Sequence, residues 1–202
     1  MTVVVGVRKS GRVVLATNAD TYFGDERAGD ADYAGSKIRP VGDALVSWAG
    51  WERFEDTFDD FLDGAKRSPA LRTRRDVYRF FLELWRFARD ERGFVNDQPH
   101  DDDDPGPWLD VDSDFLVAAP APADRPADGP SLFRVGSDLS VTPFNRFHAV
   151  GSGRRYALGA AHLLYDQLDD PAEIARRAVE TAAHFDVYSA GGPRLQSIPA
   201  SP

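Results

Sequence analysis

Two apolar runs open the chain, Val3-Val4-Val5 and Val13-Val14-Leu15-Ala16, separated by Gly6-Val7-Arg8-Lys9 and a polar turn at Ser10-Gly11-Arg12. Runs rich in β-branched residues, joined by a short glycine-containing turn, predict an antiparallel hairpin. Neither run alternates apolar with polar positions. Both faces are therefore expected to be covered, as in an inner strand of a layered fold. Strands of that kind need apolar partners above and below, and the remaining chain must supply them.

The residue in front of the hairpin has chemistry of its own. A small residue at position two permits removal of the initiator methionine, which would leave Thr2 first in the mature chain. Thr2 would then carry a hydroxyl, a potential nucleophile, and an α-amine whose ordinary pKa of about 7.7–8.0 suits a base near neutral pH. One residue can in this way supply both nucleophile and base. On its own, a Met-Thr opening reads more readily as an ordinary first strand.

The chain of 202 residues is long enough for one sizeable core, and 42% of it is hydrophobic. One domain spanning 1–202 is expected. No apolar run approaches the ~18 residues of a membrane span, and no signal peptide is recognisable. Absence of cysteine excludes disulfides, thiolate metal sites and cysteine nucleophiles, and fits a cytoplasmic protein. A net charge of −9 argues against a general nucleic-acid binder, which needs a basic face.

Further along, Thr17–Gly24 leads into a polar loop through Asp25–Ser36. Lys37–Val41 and Ala44–Ala49 read as strands, and Gly50 breaks the pattern before a helix. That helix, Trp51–Leu62, places Trp51, Phe54, Phe58, Phe61 and Leu62 on one stripe; a second, from about Arg74 to Arg89, does the same with Val77, Phe80, Phe81, Leu84, Trp85 and Ala88. An acidic, proline-bearing loop is expected over about 96–130, interrupted by a strand at Phe115–Ala118. Asp110, Asp112 and Asp114 resemble the start of a calcium loop, but the glycine and distal glutamate of such a loop are missing, so no metal site is expected. Leu132–Val135 and Leu139–Thr142 form a hairpin, and Phe147–Val150 leads into Gly151-Ser152-Gly153. Two helices follow. Tyr156–Leu168 packs through Tyr156, Ala160, Leu163 and Leu164, and the next begins at the Asp170 cap with Pro171 in its first turn and ends near Phe185. Asp186–Gly192 turns into a last edge strand. Strands in blocks and helices in pairs suggest two antiparallel sheets with helices outside each.

At this point the chain resembles the proteasome β-subunit superfamily, most closely its HslV type. The motifs occur in order: Thr2 and its strand, Ser36-Lys37-Ile38-Arg39, Trp48-Ala49-Gly50 before the first helix, Val150-Gly151-Ser152-Gly153 before the third, and Asp186-x-x-Ser189 after the fourth. The resemblance implies an α+β fold, the four-layer αββα sandwich of N-terminal nucleophile (Ntn) hydrolases, and a threonine endopeptidase without a cofactor. It implies that Thr2 attacks the peptide carbonyl and that Lys37 is the cation beside it. The Gly50 backbone N–H would face the oxyanion, while Ser152, Asp186 and Ser189 would orient the amine. It also implies a homo-oligomeric ring, peptide or unfolded-protein substrates and an ATP-dependent unfoldase as partner. The family pairs its lysine with an aspartate, and the matching position here is Asn18. An amide can accept from Lys37 but cannot neutralise it. The lysine pKa should then fall, or a substitute carboxylate, Asp20, should approach. A non-catalytic ring subunit and an amidase acting on small amides are the alternatives.

Overall fold

The computed structural model describes residues 2–23, 26–32, 35–50, 53–65, 69–93 and 113–199. Its elements are β1 (Val3–Lys9), β2 (Arg12–Asn18), β3 (Thr21–Phe23), β4 (Glu26–Ala28), β5 (Ile38–Val41), β6 (Ala44–Ala49), α1 (Arg53–Asp63) and α2 (Arg74–Arg92). They continue with β7 (Asp114–Ala119), β8 (Ser131–Val135), β9 (Val141–Phe144), β10 (Phe147–Gly151), α3 (Arg154–Tyr165), α4 (Pro171–Phe185) and β11 (Pro193–Ile198). Two antiparallel sheets form, β10-β1-β2-β11 and β5-β6-β7-β8-β9, beside a small β3-β4 ribbon. The expected opening hairpin is present, in register Val5↔Ala16 and Val7↔Val14.

Three apolar strata explain why the first strands do not alternate with polar residues. Val3, Val5 and Val7 face the helices α3 and α4, while Val4 turns inward onto the other sheet with Leu15, Leu116 and Leu132. The layers are therefore α3/α4, the β1-centred sheet, the β7-centred sheet, and α1/α2: an αββα sandwich. Gly6 belongs to the inner stratum because there is no room for more. A Cβ at that position would come within 2.5 Å of Leu132 Cδ1.

The two helical layers are built differently. The α1/α2 side is aromatic: Phe54, Phe58, Phe80, Phe81 and Trp85 cover Phe115 and Phe133, with the Phe81 and Phe115 rings 4.8 Å apart. Trp48 lies 4.9 Å from the Phe58 ring and so anchors the far end of β6 to α1. The capping box of Thr73 and Asp76 starts α2. On the other side α4 buries Ile174, Ala175, Ala178, Val179 and Ala182, and the Asp170 carboxylate caps Ala172 N–H at 3.1 Å.

Two expectations are corrected. The helix expected over Tyr156–Leu168 runs over Arg154–Tyr165, and its buried face is Ala157 and Ala161. Tyr156 and Leu163, expected to pack inward, are 45% and 66% exposed. Small side chains win this face because α3 lies close against α4 and β10, where methyl groups fit and a tyrosine ring does not. The segment Asp25–Ser36 is not loop throughout: Glu26–Ala28 pairs with Thr21–Phe23, although its polar composition gave no strand signal. The first helix begins at Arg53 in the described residues, and Trp51 lies outside them. So do residues 96–112 of the expected acidic loop.

Candidate active site

Strand β1 begins at the centre of its sheet, which carries Thr2 to the sheet's end yet leaves it only 7% exposed. Asn18, the last residue of β2, lies beside it and is fully buried. The Asn18 Oδ1 accepts from the Thr2 hydroxyl at 3.0 Å and from the Val3 N–H at 3.0 Å. Its Nδ2 donates to the carbonyls of Asp20 and Ala190, each at 2.9 Å. A backbone N–H can only donate, so the Val3 contact fixes which end of the amide faces Thr2.

Lys37 approaches from the opposite sheet, one residue ahead of β5. Its own carbonyl accepts from the buried Ser47 hydroxyl on β6 at 2.6 Å. The ammonium donates to Thr2 Oγ1 at 2.6 Å and to the Asp20 carbonyl at 2.5 Å. Burial pushes the Lys37 pKa down from 10.5 to about 8; the negative charges of Asp20 and Glu55 resist that fall and Arg194 adds to it. The expected fall in pKa is thus present. Its wiring differs from the expectation in two respects. Asn18 spends its oxygen on Thr2 and Val3, so it does not act as the lysine's acceptor. Asp20 meets the ammonium through its backbone oxygen, and its carboxylate pairs with Arg27 at 3.4 Å.

A second cluster closes the other side of Thr2. The Asp186 carboxylate accepts from the hydroxyls of Ser152 at 2.7 Å and Ser189 at 2.5 Å. Asp186 follows the last residue of α4, and Ser189 sits in the 3-10 turn Val187–Ser189. The cluster joins Thr2 through the backbone, since Ser152 N–H donates to the Thr2 carbonyl at 3.1 Å. Gly151, the residue before, has φ +94°, and a Cβ there would lie 1.9 Å from that same carbonyl oxygen and 2.9 Å from Ala49 Cβ. A glycine is required at this approach. The same contact brings the end of β6 beside Thr2, with Gly50 exposed immediately after Ala49.

Six of the seven residues singled out from the sequence therefore form two hydrogen-bonded groups around Thr2, and Gly50 lies at the adjacent strand end. The features that sequence reasoning missed are backbone ones: the Asp20 carbonyl, and the Ala190–Gly192 segment that clamps residues 18–20 through Ala190 O and through Gly192 O with Ala19 N–H at 2.9 Å. No side-chain pattern announces a carbonyl. Among the described residues no group of three or more His, Asp or Glu converges as a metal site, and Asp114 pairs with Arg134 at 2.6 Å. Nor is any described helix long and apolar enough to cross a membrane. Chemically, the arrangement can present a threonine hydroxyl to an electrophile, with a cation on one side and hydrogen-bonded hydroxyls on the other.

No family model matches the chain. Among curated proteins, the ATP-dependent protease subunit HslV of Hyphomonas neptunium is 26% identical over 201 residues, covering 94% of this chain and 88% of that one. Among solved structures, Thiobacillus denitrificans BPH in complex with epoxomicin superimposes with a TM-score of 0.83 at 26% identity, covering 99% of this chain and 100% of that one. Eukaryotic HslV from Trypanosoma brucei shares the fold, with a TM-score of 0.62 at 20% identity and coverage of 98% and 99%.

Proposed function

We propose, from its membership of the proteasome β-subunit superfamily and its HslV type, that this chain is a threonine endopeptidase whose nucleophile is Thr2 after loss of Met1. The observation that carries the reading is the Lys37 ammonium 2.6 Å from the Thr2 hydroxyl oxygen, in a site where burial has already brought the lysine pKa to about 8.

In this reading Thr2 Oγ1 attacks the scissile carbonyl carbon while its proton passes to the free α-amine. Lys37 stabilises the developing alkoxide, because a cation adjacent to an oxygen favours the oxygen's charged form. The carbonyl oxygen becomes an oxyanion facing the Gly50 N–H, a kind of contact worth about 2.7–4 kcal/mol per donor in other enzymes. The amine proton then goes to the leaving nitrogen, an ester to Thr2 remains, and water hydrolyses it. Ser152 and Ser189, tied to Asp186, hold the amine's side of the site.

The reading extends to a single peptidase domain over 1–202, a homo-oligomeric ring, cytoplasmic residence, peptide or unfolded-protein substrates and an unfoldase partner; these follow from the HslV type of the relatives. A second reading, a ring subunit without turnover, is favoured by Asn18 in place of the family's aspartate. Intact-mass measurement and a peptide-hydrolysis assay separate the two. The peptidase reading requires a mature chain lacking Met1, hydrolysis abolished by Thr2→Ala, and an epoxomicin mass adduct on the natural protein but not on that variant. Retention of Met1 on every chain would end it.

A further inference from the structure

We propose that Asp20, shared between Lys37 and Arg27 of the β3-β4 ribbon, is the counter-charge that sets the protonation of Lys37, while Asn18 is a neutral strut holding the Thr2 hydroxyl. Asp20 and Arg27 are then positioning residues. Their catalytic importance rests on the peptidase reading, but their control of the lysine does not.

Asn18 cannot be the counter-charge, and an aspartate in its place would not simply become one. The group facing Val3 N–H must accept, which leaves the other end of residue 18 against two carbonyl oxygens at 2.9 Å. An amide NH2 suits that position; a carboxylate oxygen would meet two acceptors and no donor. The site is built for asparagine.

Asp20 has the opposite credentials. Its carbonyl touches the ammonium at 2.5 Å, and its carboxylate, paired to Arg27 rather than to the lysine, is the strongest of the charges that hold the lysine's pKa up. It is buried, at 6% exposure. Space for the carboxylate is made by Gly191, whose φ is +94° and whose missing Cβ would fall 2.6 Å from Asp20 Oδ1 and 2.7 Å from Cγ. Any larger residue there would evict the carboxylate. Gly191 belongs to the segment that follows Ser189, so the clamp on Asp20 is continuous with the Ser152–Asp186–Ser189 cluster.

Arg27 is the adjustable member. Its guanidinium reaches Asp20 Oδ2 at 3.4 Å from a largely exposed side chain on a three-residue strand. The Asp20 carboxylate pairs with Arg27 and acts on Lys37 through space, so Arg27 draws Asp20's charge and leaves less of it for Lys37. The other charged groups around Lys37 are already engaged. Glu55 of α1 is paired to Arg39 of β5, which also binds Asp59, and Arg194 of β11 is paired to Asp30. In the mature chain the Thr2 α-amine adds one more positive charge whenever it is protonated. Withdrawal of the β3-β4 ribbon, or its engagement by another molecule, would therefore change the lysine's charge without touching Thr2.

The chain contains three lysines, Lys9, Lys37 and Lys66, so ε-13C-lysine labelling with NMR can follow the titration of Lys37, assigned by its loss in a Lys37→Met variant. The full-length natural protein should titrate near pH 8. Asp20→Asn should lower that midpoint, and Arg27→Gln should raise it, each by about one pH unit, the lower end of a close charge's effect. Asn18→Asp should bring no gain in hydrolysis. An unmoved midpoint in Arg27→Gln, an exposed substitution expected to fold, would overturn the proposal, as would a several-fold rise in activity in Asn18→Asp. Should hydrolysis prove absent while the midpoints move as stated, the peptidase reading fails and this one stands. Thr2-dependent hydrolysis with immobile midpoints would overturn the proposal and leave the peptidase reading standing.

Discussion

On the peptidase reading, replacing Lys37 by methionine should abolish peptide hydrolysis; on either reading it should make the folded chain more stable at neutral pH. The magnitude follows from the surroundings of the amine. Burial brings its pKa from 10.5 to about 8, a displacement that corresponds to about 3 kcal/mol of cost in the folded state whenever the lysine is charged. Two hydrogen bonds oppose the substitution, those to Thr2 Oγ1 and to the Asp20 carbonyl, each with a net worth of about 1 kcal/mol. Neither acceptor is orphaned by their loss. The Thr2 hydroxyl still donates to Asn18, and the Asp20 carbonyl still accepts from the Asn18 amide. Methionine also fills the volume of the lysine stem with an apolar chain. The balance favours the variant by about 1 kcal/mol, or roughly 2–4 °C in Tm for a chain of this length.

The pH dependence has a definite sign. The unfolded chain keeps the Lys37 proton up to the ordinary lysine value, whereas the folded chain releases it near pH 8. Between those values the unfolded state binds more protons, so the natural protein gains stability as pH rises across that window. Below about pH 8 the cost is constant. Methionine does not titrate. Its advantage should therefore hold at pH 7 and vanish as pH climbs towards 10.5, where the lost hydrogen bonds become the larger effect. Loss of Met1 would sharpen the contrast, because a protonated Thr2 amine adds a like charge beside the lysine. Paired thermal melts of the two proteins at one concentration, between pH 7 and 10, measure this difference directly. A variant that melts several degrees lower at pH 7, or a gap that widens with pH, would refute the reasoning.

Two further substitutions test the packing that positions Thr2. Gly151→Ala puts a methyl where the Thr2 carbonyl oxygen lies 1.9 Å away; on the peptidase reading, displacement of Thr2 by about 1 Å should cost about 100-fold in kcat/KM, and an unchanged rate would contradict the placement of Thr2. Gly6→Ala forces a methyl into Leu132, 2.5 Å from Cδ1, and should lower stability by about 1–3 kcal/mol in urea unfolding, with peptide cleavage by the folded fraction unchanged.

Part of this fold is encoded in local pattern. The non-alternating valines of Val3–Val7 required cover on both faces, and the structure supplies α3/α4 on one side and Leu132 with Leu116 on the other. Helices with a wide aromatic stripe, or with a proline-and-aspartate start, were legible because their periodicity and caps lie within a single segment. The residues meeting at Thr2 were legible for a different reason: Lys37, Asn18, Ser152, Asp186 and Ser189 each sit at a strand end or turn whose neighbours resemble a family pattern.

The choice of face on α3 could not be read in the same way. Tyr156 and Leu163 obey the helical spacing as well as Ala157 and Ala161 do, and only the nearness of α4 decides for the alanines. The same holds for Asp20 and Gly191, which are 171 positions apart in numbering (191 − 20) and meet within 2.6 Å. The expectation that Asp20's carboxylate would approach the lysine named the residue but not the group in contact: the Asp20 carbonyl meets the ammonium, while the carboxylate pairs with Arg27 and acts on the lysine through space. Backbone carbonyls carry no residue identity, so their use as partners for a buried cation is a product of chain path. The sequence set which chemical groups were available; the packing of two sheets against each other decided which of them touch, and so how much charge Lys37 holds.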